Sequence, residues 1–197
     1  LSLRAKSPRT FSPTLILYKN VVRNLTKSMK KILPLILILN FSSLFSQSKE
    51  NKLELNDTWF GGETENNGKP VIIRGRQHLK NFIDSKQYTE HVEFVWTFET
   101  ETENGIPTSE ENIFMQKVED ALIENLESDL QSVLTIVYTH DGIRSSIFYT
   151  KSVPEFLKRI NKALSEFKKL PIEITNEKDI EWELYTGILK SYELEPE

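Results

Sequence analysis

The chain has 197 residues, 25 basic and 29 acidic side chains, a formal net charge of −4 and no cysteine. Without cysteine there are no disulfides, no lipoprotein anchor and no thiolate metal sites. The charge is also unevenly placed: residues 1–46 hold eight of the 25 basic groups and no acidic one, which leaves 17 basic against 29 acidic and a net of −12 for residues 47–197. Such a field repels phosphate backbones, so nucleic acid is not an expected ligand.

From Met29 the sequence has the three-part layout of a secretory signal peptide, with Lys30 and Lys31, an apolar run over 32–39 and small polar residues up to Ser46. The run is well short of the ~20 residues that cross a bilayer. Residues 29–46 are therefore expected to be removed, leaving Gln47 at the N-terminus of a periplasmic or secreted protein with no stable membrane insertion. Residues 1–28 precede the only plausible start methionine and are read as a mis-assigned upstream extension.

The segment 47–197 is expected to form one α+β domain. Its polar opening, 47–56, leads into an N-terminal hairpin over 58–74 turned by Asn66-Asn67-Gly68-Lys69. A short helix follows over 78–83. In the strand over 92–99, Val92, Phe94, Trp96 and Phe98 face one way and Glu93, Thr97 and Glu99 the other. Thr108 with Glu111 forms a capping box, and Phe114, Val118, Ala121, Leu122 and Asn125 or Leu126 give the next helix its buried stripe. His140-Asp141-Gly142 turns a hairpin between strands 133–139 and 143–150.

Ser152 and Glu155, with Pro154 in the first turn, open a second long helix. Pro171 ends it, a strand begins at Ile172, and a short C-terminal helix is expected over 179–190. The order over 92–175 is that of a ferredoxin-like βαββαβ sandwich with both helices on one sheet face. Val133, Leu134, Ile136 and Val137 are apolar on both faces of a strand that this topology places at an edge. Such an edge needs cover, expected from the N-terminal hairpin or the C-terminal helix.

Gly105-Ile106-Pro107-Thr108, Glu110-Glu111, Val118 to Leu122, Thr139 to Arg144 with Ile147 to Thr150, and Asp179, Trp182 and Tyr185 together make residues 92–190 resemble the bacterial domain-of-unknown-function 695 family. The resemblance implies a single domain and no established activity.

No sequence motif supplies a reaction. His78, His91 and His140 lack ligand spacing, and neither Gly-x-Ser-x-Gly nor a glycine-rich phosphate loop occurs. Neither a cofactor nor a metal is expected. Glu110, Glu111, Glu119 and Asp120 read as helix-dipole partners and a solvated helix face.

The candidate ligand or partner surface is Trp59, Arg74, Arg76, Asp179, Trp182 and Tyr185. The two arginines either pair with neighbouring carboxylates or receive an anionic group. Asp179, Trp182 and Tyr185 either form an aromatic platform or cap and dock the last helix on the sheet. The sequence therefore points to an exported, non-catalytic domain that binds another protein. The alternative is a carboxylate-dependent hydrolase acting on a small or anionic substrate, which needs a pocket near Arg74 and Arg76 holding two acids with raised pKa values.

Overall fold

The computed structural model describes residues 53–100 and 102–197; the expected leader and the upstream extension lie outside the described residues. Six strands form one antiparallel sheet: β1 (Trp59–Asn66), β2 (Lys69–Arg76), β3 (Glu90–Thr97), β4 (Ser132–His140), β5 (Ile143–Thr150) and β6 (Ile172–Lys178), in the order β1-β2-β4-β5-β3-β6. Among the described residues there are four α-helices: α1 (Lys80–Asp84), α2 (Ser109–Glu127), α3 (Val153–Ala163) and α4 (Glu183–Ser191). None of them is long and apolar enough to cross a membrane.

The sheet has a hydrophobic core on each face. On one, Val92, Phe94 and Trp96 of β3 and Phe148 of β5 meet Met115, Val118, Leu122 and Leu126 of α2 and Phe156 and Ile160 of α3. On the other, Val71, Ile73, Ile136, Ile147 and Tyr149 lie under α4, with Leu79 and Phe82 at α1. The face opposite the two long helices is thus closed by chain segments outside the βαββαβ unit.

β4 is not an edge. β2 pairs antiparallel with it from Val71↔His140 to Gly75↔Ile136, so the N-terminal hairpin extends the sheet and leaves β1 and β6 at its margins. Gly75 permits this, because a Cβ there would lie 2.2 Å from Phe60 Cε1 and 2.7 Å from Ile136 Cδ1. The unbroken apolar run of β4 has a second cause. The register against β5 shifts between Leu134 and Ile136, an extra residue at Thr135 that reverses which side chains face which core. Leu134 packs toward α2 and α3, whereas Ile136 packs toward α4.

The helix starts follow their caps with two differences. Thr108 and Glu111 form the full capping box of α2. At α3, Ser152 Oγ accepts from Glu155 N–H at 3.4 Å, but the Glu155 carboxylate turns along the helix to Arg159 Nε at 2.9 Å instead of back to the cap. Arg159 also donates both Nη groups to Asp129, at 2.7 and 2.8 Å, tying α3 to the end of α2. The last helix begins at Glu183, not at Asp179.

The expected stripe of α2 needs correction. Met115, Val118, Leu122 and Leu126 are buried, while Phe114 is 39 % exposed. Glu119, expected on a solvated face, is buried, as are Glu127 and the β3 residue Glu93. Glu93 accepts from Ser145 Oγ at 2.6 Å.

Candidate functional site

The sequence-predicted residues fall into two groups on opposite faces of the sheet. Asp179, Trp182 and Tyr185 belong to the core under α4. Trp182 stacks on Tyr149 at 3.8 Å between centroids and 12° between planes, and its Nε1 donates to the Tyr88 carbonyl at 2.9 Å. These contacts hold Trp182 at φ 55°, ψ 41°, a left-handed conformation that a bulky residue adopts only when its surroundings enforce it.

Asp179 accepts the backbone N–H groups of Glu183 and Leu184 at 2.8 and 3.1 Å and the Tyr149 hydroxyl at 2.6 Å. Burial pushes its carboxyl up. The His91 ring, whose Nδ1 stands 3.9 Å away and beyond hydrogen-bond reach, and these three donors outweigh it and hold the group at about 2. The Tyr185 hydroxyl, raised by burial, donates to the Arg76 carbonyl at 2.7 Å. Trp182 and Tyr185 are fully buried, so this group docks α4 and offers no surface to a ligand.

Trp59, Arg74 and Arg76 lie on the α2 side, at the seam between the hairpin and the helix. Both guanidinium carbons stand over the half-buried Trp59 ring, at 4.9 Å for Arg74 and 4.7 Å for Arg76. Arg76 is buried and donates to Glu127 Oε2 at 3.0 Å. The other Glu127 oxygen accepts the Leu134 N–H at 2.6 Å, beside the irregularity in β4 and beyond the last β2 pairing. Glu127 thus satisfies a backbone donor that the sheet does not, and Arg76 neutralises it. Burial still pushes the Glu127 carboxyl above its ordinary value, against the pull of Arg76 and the Leu134 N–H.

Arg74 is 43 % exposed at its side chain and pairs with Glu119. Beyond them opens a cleft of about 320 Å³ lined by Ile72, Arg74, Asn112, Gln116, Glu119, Val137, Thr139 and Arg144. Arg144 donates Nε to Thr139 Oγ1 at 3.1 Å and Nη2 to Asn112 Oδ1 at 2.7 Å. Among the described residues it has no ion pair. Burial pushes this guanidinium below its ordinary value; Glu119 opposes the shift and Arg74 adds to it.

The cleft therefore brings two cations to one carboxylate. Residue type alone does not single out Arg144, but strand parity marks it: Arg144, Ser146 and Phe148 lie on the same side of β5, the side that faces α2.

A second, mostly apolar cleft of about 500 Å³ lies on the other flank of α2, lined by Trp96, Phe98, Phe114, Met115 and Pro171 with Glu99 and Glu111 at its side. The histidines do not converge on either cleft. His140 joins the two hairpin tips through the Pro70 carbonyl at 3.0 Å and Asn66 Nδ2 at 3.3 Å, and His78 stands 3.1 Å from the Glu197 carbonyl. Among the described residues no group of three His, Asp or Glu is placed to hold a metal ion.

One family matches, a family of unknown function designated DUF695, over residues 57–190. The match reaches back from residue 92 to take in the N-terminal hairpin. No curated protein and no solved structure matches the chain.

Proposed function

The chain belongs to this family of unknown function, DUF695, and from that premise we propose that it is an exported, non-catalytic domain that binds another protein. The observation that carries this reading is the surface around the first half of α2. Ile113 is 56 % exposed, Phe114 39 % and Ile72 42 %, with an apolar cleft on one flank and a cationic one on the other. Large apolar side chains grouped beside concave surface are the common mark of a protein contact.

The signal-like segment 29–46 supports export. The order β4-β5-β3-β6 with all neighbours antiparallel supports a ferredoxin-like reading of the βαββαβ portion, to which the hairpin adds two strands. The hydrolase reading is disfavoured, because the cleft beside Arg74 is lined by one carboxylate, Glu119, where that chemistry needs two.

The test is photo-crosslinking in the periplasm and culture medium, with a photoreactive residue in place of Ile113. The expected result is one partner recovered in independent preparations and lost when Phe114→Asp is added. No adduct, together with a monomer by light scattering, overturns the reading.

A further inference from the structure

We infer that the cleft between α2 and strands β2, β4 and β5 receives a carboxylate carried on an acidic segment of the partner protein, held by Arg144 and Arg74. This rests on the protein-binding reading above and names the chemistry of the contact.

Arg144 is incompletely matched in both hydrogen bonds and charge. A guanidinium has five N–H donors in a planar fork, and Thr139 and Asn112 account for two of them. Both acceptors are neutral. A cation drawn partly out of water and held by neutral oxygens alone is an incomplete arrangement, since buried charge is ordinarily matched by opposite charge. Glu119 is the one carboxylate in the cleft, and it is engaged with Arg74. The pair of arginines is left with one positive charge in excess. The free edge of Arg144 fits the two parallel hydrogen bonds that a carboxylate accepts.

The rest of the molecule narrows the ligand further. Residues 47–197 carry a net of −12, which disfavours the approach of small, multiply charged anions from solution. Inside the cleft that field is opposed by cations at contact distance, within the roughly 8 Å over which physiological salt leaves charges unscreened. A single carboxylate delivered by a polypeptide meets the local charge without carrying a second one against the acidic surface. Ile72 and Val137 line the same cleft and give the flanking residues of such a segment apolar contact.

The test is a titration of the ¹⁵N-labelled purified protein, read at the Arg144 Nε–Hε and the Asn112 side-chain amide. The probe is N-acetyl-Ile-Glu-Ile-amide, compared with its Gln counterpart and with inorganic phosphate at matched ionic strength. The acidic peptide should shift both signals saturably, and the Gln peptide should bind about tenfold or more weakly, the order expected on losing charge-assisted hydrogen bonds. Arg144→Lys, which keeps the charge and loses the fork, should weaken the acidic peptide about tenfold. Lys117→Gln, outside the cleft, should leave it unchanged.

Glu119→Gln gives a test with the opposite sign: removing the competing carboxylate should tighten the acidic peptide several-fold. Absence of a shift with the acidic peptide overturns the inference, as does weaker binding in Glu119→Gln, or phosphate acting as strongly as the peptide. A crosslinked partner without a carboxylate response removes this inference and leaves the protein-binding reading. Peptide binding without a crosslinked partner removes that reading and leaves the carboxylate site.

Discussion

At the scale of single residues, Asp179 makes the fold sensitive to acid. Its side chain is 9 % exposed, and the folded state holds its carboxyl at about 2, below the ordinary aspartate value of about 3.9. A depressed carboxyl adds stability above its unfolded pKa and loses it as the pH falls through the folded one. The window is therefore about pH 5 down to pH 2, and the contribution lost is about 2 kcal/mol. Urea unfolding across this range should show that loss in the parent. Asp179→Asn should be less stable at neutral pH and flatter across the acid window; an equally steep profile in the variant would assign the dependence to other groups. Trp182 adds no net charge to this corner, but its stacking on Tyr149 keeps the hydroxyl aimed at Asp179.

Among the elements, β2 has the tightest steric requirement. Gly75 lies against Phe60 and Ile136, and a methyl group there must displace an aromatic ring and a buried isoleucine. Gly75→Ala is expected to cost about 1–3 kcal/mol through overpacking. Hydrogen exchange should then rise first along β1 and β2. A uniform rise across the sheet would show instead that the hairpin does not open separately.

The same elements show what the sequence disclosed. Turn chemistry at Asn67-Gly68 and Asp141-Gly142, the capping residues Thr108 and Ser152, and the alternation of β3 all act over a few residues, and each of those elements forms. Three features depend on distant chain and were hidden. The extra residue at Thr135 changes the phase of β4 within an apolar run, so periodicity gives no sign of it. Phe114 is displaced from the buried stripe by Met115, whose position depends on where α2 sits over the sheet. Glu119 reads as a surface residue until β2, more than forty positions upstream, brings Arg74 to it. The candidate site suffered most, because Arg144 and Asn112 are 32 residues apart and meet only through the helix-on-sheet packing.

For the whole molecule, compartment is the testable property. The basic, then apolar, then small-residue order of 29–46 leads us to expect a mature chain beginning at Gln47. Intact-mass measurement on protein recovered from periplasm or medium checks this; a mass that retains residues 29–46 removes the export assignment. A domain without disulfides must rely on burial, and residues 47–197 are enough to build adequate cores without covalent staples.

The clamp of α2 on β2 bears on where a minimal unit can begin. Two helix carboxylates find their counter-ions in a ribbon that precedes the βαββαβ portion, and that ribbon also shields the flank of β4. A fragment cut just before β3 would keep Glu119 and Glu127 with neither arginine and would bare a greasy margin to self-association. The ribbon is no detachable ornament, and the family span from residue 57 to 190 coincides with the stretch in which every one of these debts is settled.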